Sequence, residues 1–298
     1  MINFQPIELK DKKTIDACLA KNYYQSCDFC FGNLYAWNVR YKTLYAVVNE
    51  TLFLRFKESD GKIYYMMPVG KMPIDKAFDL IISDALENNH PFRMKGISRV
   101  MWHEIEEAMP GRFRYVHERA NDEYIYSTEK LIKLSGKKLQ SKRNHINRFK
   151  GDYPDWQYFP LTEPAEVAEC MRMLDEWEDL NEEKANKNFR FDYLATRTML
   201  DKFFELELCG GAIRTSGKIV AFSIGEPVTD DTFVVHVEKA YGDLNGAYSI
   251  INQQFVEHCA ADYQYVNREE DMGLENLRKA KLSYQPDILL EEGTVSLF

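Results

Sequence analysis

DTFVVHVEKAYGDLNGAYSIINQQFVEHCAADYQYVNREEDMGLENLRKAKLSYQ, residues 231–285, decides how this chain folds. TFVVHVEKA (232–240) is a β-branched and aromatic run, which reads as a strand. A turn marked by Gly242 and Gly246 follows. In YSIINQQFVEHC (248–259), Tyr248, Ile251, Phe255 and Cys259 recur at the spacing of one helical face. YQYVN (263–267) is a second short strand that runs into Arg268, Glu269, Glu270 and Asp271. LENLRKAKL (274–282) is a basic helix. Two strands joined by a crossover helix are expected to lie parallel. The glycine turn then stands at a helix N-terminus, where N–H groups and the dipole favour anions, so Asn245 and Gly246 are candidate substrate ligands. Such sheets bind ligands beyond the carboxyl ends of their strands. The chemistry is therefore expected near His236, Glu238, Asn267, Glu269 and Glu270.

Working outward, 298 residues with 45% hydrophobic and 29% charged content suit a globular chain of two domains. No apolar run is long enough to span a bilayer. The opening MINFQPIELKDKK has no apolar signal core, and a cytoplasmic location is expected. Cys27 and Cys30 form a lone CxxC with no second pair, so ordinary thiols are expected rather than a metal site. A net charge of −9 argues against general nucleic-acid affinity. The charge is uneven, however: residues 130–150 carry Lys and Arg with no acid, and residues 163–183 are rich in Asp and Glu.

Helices are expected over 10–21, 28–40, 74–88 and 100–109, the last capped by Ser98. A hairpin over 44–56 turns at Asn49 and Glu50. Strands are expected at 63–68, 92–95, 112–118 and 123–127. Domains are expected at 1–127 and 128–298, because both halves run helix, hairpin, helix, strand. In the second half Ser135 is a candidate N-cap for the basic helix, 163–180 and 192–206 read as helices, and a hairpin turns at Ser216 and Gly217. Lys137 and Lys138 fall in the first helical turn, where the dipole disfavours positive charge. The segment reads either as a basic face, solvated or paired with the acidic helix, or as a phosphate site built from Lys142, Arg143, His145 and Arg148.

SGKKLQSKRNHINRFK (135–150) and YVNREEDMGLENLRKAKLSYQP (265–286) resemble the signature segments of a bacterial family grouped with the C-terminal domain of phosphatidylglycerol lysyltransferase. The resemblance implies an α/β (α+β) chain of two tandem GNAT-like acyl-CoA N-acyltransferase domains, with mixed sheets flanked by helices. The Fem-type peptidoglycan aminoacyltransferases share that pairing. It further implies transfer of an aminoacyl group from aminoacyl-tRNA, as donor co-substrate, to an amine or hydroxyl. The partners would be tRNA, met by the local basic segment, and a small-molecule or peptide acceptor. In the GNAT fold two neighbouring parallel strands splay and the donor enters between them; here these would be 232–240 and 263–267. The pyrophosphate loop of acetyl-CoA enzymes, Gln/Arg-x-x-Gly-x-Gly/Ala, is altered: Asp243 and Tyr248 stand at its two ends. Acyl-CoA is therefore the second choice of donor, and a ligand-binding protein on a degenerate GNAT scaffold is a third reading.

Acyl transfer needs a base and donors for an oxyanion. Glu238 is the first candidate base and His236 the second; the plainer reading is a satisfied core histidine and a lysine-paired glutamate. Asn267, Glu269, Glu270 and Asp271 form a polar cluster, or cap the next helix. Arg278 is a weaker anion ligand, since basic residues suit a helix C-terminus by dipole alone. No HExxH, GxSxG or GxxxxGK[ST] occurs, and no metal site is expected.

Overall fold

The computed structural model describes residues 2–181 and 187–298; Glu182 and Glu183, which end the acidic stretch, lie outside the described residues. The first of two units comprises Met1–Glu123, Glu270–Glu275 and Leu289–Phe298. Its elements are β1 (Gln5–Pro6), α1 (Lys12–Leu19), α2 (Phe31–Ala36), α3 (Asn38–Tyr41), β2 (Leu44–Val48), β3 (Thr51–Lys57), β4 (Ile63–Tyr65), β5 (Val69–Gly70), α4 (Ile74–Glu87), β6 (Arg93–Ser98), α5 (Arg99–Ala108) and β7 (Phe113–His117). The β2–β3 turn falls on Asn49 and Glu50, at φ 47° and 56°. Two successive left-handed residues match the twist of the flanking strands. The Ser98 hydroxyl accepts the Met101 N–H at 3.4 Å and starts α5 as expected. The single helix expected over 28–40 is instead split at Trp37, whose ψ of −2° is off the helical value. Cys27 and Cys30 lie in a tight turn, and no disulfide joins cysteines among the described residues.

The second unit comprises Tyr124–Glu269 and Asn276–Ile288. Its elements are β8 (Glu123–Ser127), α6 (Thr128–Lys133), α7 (Gln140–Asp152), β9 (Gln157–Pro160), α8 (Pro164–Asn181), α9 (Lys187–Asp201), β10 (Cys209–Thr215), β11 (Lys218–Pro227), β12 (Thr232–Ala240), α10 (Ala247–Cys259), β13 (Tyr265–Glu270), α11 (Glu275–Leu282) and β14 (Ile288–Leu290). Among the described residues its sheet runs β14-β8-β13-β12-β11-β10-β9. β12 and β13 are adjacent and parallel, with Thr232, Phe233 and Val234 opposite Tyr265, Val266 and Asn267. Helix α10 packs on them through Ile250, Ile251, Phe255 and Val256, all fully buried. Tyr248, expected on that buried stripe, is 39% exposed. Ser135 does not cap α7: Leu139 precedes the helix, and Lys137 and Lys138 sit in a 3-10 turn before it.

The chain does not divide once at 127/128. The last strand, β15 (Glu292–Leu297), leaves the second half and inserts between β6 and β7 of the first sheet, whose order is β1-β2-β3-β4-β6-β15-β7 with β5 on β3. In the first sheet β4 and β6 are parallel and the other pairs described are antiparallel; in the second β12 and β13 are parallel beside antiparallel β9–β12 pairs, so both sheets are mixed. Local pattern gives residues 286–297 strand-like character; which sheet they join is a tertiary property.

Candidate active site

The parallel ladder ends at Val234 and Asn267, although β12 continues to Ala240 and β13 to Glu270. Just past this point Glu269 leaves extended geometry: it adopts φ 59°, and its N–H donates to the buried Asn267 Oδ1 at 2.8 Å. On the other side of β12, Ile224 faces Val237 and Gly225 faces Val235, so His236 is the extra residue of a β-bulge. A Cβ on Gly225 would lie 2.1 Å from the Val234 carbonyl oxygen, so the bulge needs glycine there.

The bulge disturbs the strict alternation that places His236 and Glu238 together, and the two side chains hold separate partners. The His236 ring is 1% exposed; Nδ1 meets Glu269 Oε1 at 2.7 Å and Nε2 meets Glu226 Oε1 at 3.1 Å. Glu238 accepts from Arg268 Nη2 at 2.9 Å and from Asn252 Nδ2 at 2.9 Å. The lysine partner considered for Glu238 is therefore an arginine. The Arg268 guanidinium lies 4.6 Å from the Tyr284 ring centroid and 5.7 Å from that of Tyr126. Lys142 Nζ lies 4.1 Å over the same Tyr284 ring. Its ammonium is pulled down to about 8, by burial first and Arg268 second, with Glu238 opposing.

The rest of the basic helix is placed otherwise. Arg143 Nη1 donates to the carbonyls of Leu134 and Gly136, at 2.8 Å for Gly136. It serves the C-terminus of α6, whose last carbonyls lack helical partners. Arg148 pairs with Asp152 on an exposed face. His145 Nδ1 meets Asn245 Oδ1 at 2.8 Å, which joins α7 to the glycine turn. Gly246, at φ 91°, is required by this approach: a Cβ would lie 2.2 Å from the His145 carbonyl oxygen. The glycine thus admits the α7 backbone. The acidic helix pairs elsewhere: Glu169 with Arg214, Asp175 with Arg197, Glu178 with Arg190, and Glu176 accepts from Tyr241. Glu270 belongs to the first unit, where it adds to the field on Glu292. Asp271 ties the following turn, accepting from Gly273 N–H at 2.9 Å. Arg278 is half-buried on α11.

Sequence reasoning missed Arg268, Asn252, Tyr284 and Glu226. A polar strand end at 267–271 drew attention to carboxylates and passed over the arginine among them. Asn252 and Glu226 carry no spacing signal at all.

Two mixed sheets flanked by helices, the second with a splayed parallel pair, define a tandem GNAT fold. The tandem GNAT protein of the clavulanic acid biosynthesis pathway superposes at a TM-score of 0.50 with 8% identity, covering 99% of this chain and 97% of that one. The chain matches the family described as phosphatidylglycerol lysyltransferase, C-terminal, over residues 22–292, and it belongs to that family. A conserved protein of unknown function from Bacteroides thetaiotaomicron is 41% identical over the whole of both chains, at a TM-score of 0.94. The C-terminal domain of a putative lysylphosphatidylglycerol synthetase from Agrobacterium fabrum is 14% identical, with a TM-score of 0.68 over 97% of this chain and 92% of that one. An uncharacterised protein of Mycoplasmoides gallisepticum is 22% identical over 184 residues, 61% of this chain; the match spans 58% of that curated relative's length. Family and fold relate the chain to acyltransferases of the lysyl-phosphatidylglycerol synthase and GNAT kind. No helix among the described residues is long and apolar enough to cross a membrane.

Proposed function

We propose that the second unit transfers an acyl group from an activated ester, aminoacyl-tRNA in the first place, to an amine or hydroxyl acceptor in the splay between β12 and β13. The observation that carries this reading is the end of the parallel ladder at Val234 and Asn267, with polar side chains on both strands beyond it. The acceptor nitrogen or oxygen adds to the acyl carbonyl, and its proton passes to the Glu269–His236 pair. Collapse of the tetrahedral adduct breaks the ester bond, and the departing hydroxyl takes that proton back. Glu226 holds the far nitrogen of His236 and fixes the ring. Glu238, tied by Arg268 and Asn252, is a positioning carboxylate in this scheme rather than the base. The exposed Lys137, Lys138, His145 and Arg148 favour a nucleic-acid backbone as part of the donor.

A second reading, a ligand-binding protein on the same scaffold, draws on the ion pair Glu238–Arg268 and on the engagement of both His236 nitrogens. Release of label from a panel of aminoacyl-tRNAs, and of thiol from a panel of acyl-CoAs, decides between them. Acyl transfer predicts ester cleavage that falls roughly 100-fold or more in E269Q. Thiol release alone would move the donor to acyl-CoA. No loss of acyl group from either panel would leave the binding reading.

A further inference from the structure

We propose that Lys142 and Arg268, both set against the Tyr284 ring, form a binding site in the second unit for a singly charged oxyanion, a carboxylate or a phosphodiester. Two observations carry it. Nη1 of Arg268 is buried and has no hydrogen-bond acceptor among the described residues, although Nη2 holds Glu238. No ion pair forms on Lys142 among the described residues, although its Nζ stands 4.1 Å from the ring that Arg268 also faces.

The charge count follows. Lys142 and Arg268 share one carboxylate, Glu238, beside the Tyr284 and Tyr126 rings, and the Lys281 ammonium donates to the Arg268 carbonyl at 2.6 Å. Withdrawing like charges from water without counter-charge is unfavourable. The depressed Lys142 ammonium, near 8 rather than 10.5, is the expected symptom. An oxyanion between Lys142 and Arg268 Nη1 offsets the excess charge and favours the protonated lysine. The guanidinium is held ready for it: Lys281 fixes the Arg268 carbonyl, and the Tyr126 hydroxyl donates to the Lys281 carbonyl at 2.7 Å.

The site lies in the splay assigned to acyl transfer, and its test uses no acyl donor, so either idea can fail alone. The full chain is titrated at pH 8 with acetate and, separately, with dimethyl phosphate, by calorimetry in two buffers of unlike ionisation enthalpy. Saturable binding is expected, with uptake of up to about half a proton per site, because a group titrating near 8 is half neutral there. Tighter acetate assigns the carboxylate class, and tighter dimethyl phosphate the phosphodiester class. K142M is expected to weaken binding roughly ten- to a hundredfold, the loss of one charge-assisted hydrogen bond. K142R is expected to bind without proton uptake, since guanidinium stays charged; it carries the test if circular dichroism finds K142M unfolded. Failure of both anions to saturate, binding without proton uptake in the parent chain, unchanged affinity in K142M, or proton uptake persisting in K142R would each overturn the assignment.

Discussion

Glu292 shows how one carboxyl in the first unit makes folding depend on pH. Its side chain is buried and Oε1 has no hydrogen-bond partner among the described residues. Burial first, then the Glu123 and Asp28 carboxylates, hold its pKa well above 4.5. The folded chain therefore keeps a proton that the unfolded chain releases above about pH 4.5. Folding stability falls as pH rises from there toward the folded value, because the native state binds more protons. In E292Q this part of the slope is expected to vanish, with stability at pH 7 equal to or above that of the parent chain. Urea midpoints at pH 5, 6 and 7 check it; parallel curves for the two proteins would clear Glu292 of the effect. Arg143 gives the opposite kind of residue-scale prediction. Its Nη1 caps the carbonyls of Leu134 and Gly136, so R143Q is expected to cost about 1–2 kcal/mol of stability. Anion affinity should be unchanged, as calorimetry with acetate on a folded R143Q sample would show.

At the scale of elements, the close approach of α7 to the start of α10 turns on one glycine. G246A would force a Cβ to within 2.2 Å of the His145 carbonyl oxygen at a residue with φ 91°. Strain and overlap together are expected to cost about 2 kcal/mol or more, read as a lower denaturant midpoint at constant slope. The sequence marks this turn by its glycines, but not the reason for Gly246, because the partner backbone lies about a hundred residues away in the chain. The same contrast runs through the site. β12, α10 and β13 are legible because periods of two and 3.6 are local, and their parallel pairing follows from the crossover. The bulge at His236 is not legible, since it depends on how β11 lies beside β12. Nor is Arg268, whose importance comes from Tyr284, Asn252 and Lys142 on three other segments. Lys142 and Arg143 are adjacent basic residues in one run, and only packing separates a helix cap from a desolvated amine.

For the whole molecule, the decisive feature is that the last strand belongs to the first sheet. Glu292, Gly293, Val295 and Ser296 pair with Ser98, Ile97, Met94 and Arg93 of β6, while residues 293–297 pair with 117–113 of β7. β15 is thus an interior strand, and Val295 is fully buried. Its ladder joins residues nearly two hundred positions apart, so the first unit cannot close until the chain has been made as far as residue 297. Long-range pairing of this sort is slow to form and leaves open edges meanwhile. Deleting residues 292–298 would leave β6 and β7 each with an unpaired edge and remove the buried Val295. Hydrogen exchange is expected to show loss of protection at 93–98 and 113–117, while 209–227 in the second sheet keeps its slow amides. Retained protection at 93–98 in the shortened chain would mean that β6 is held by β4 and α5 alone, and that β15 is an ornament to the sheet rather than its closing strand.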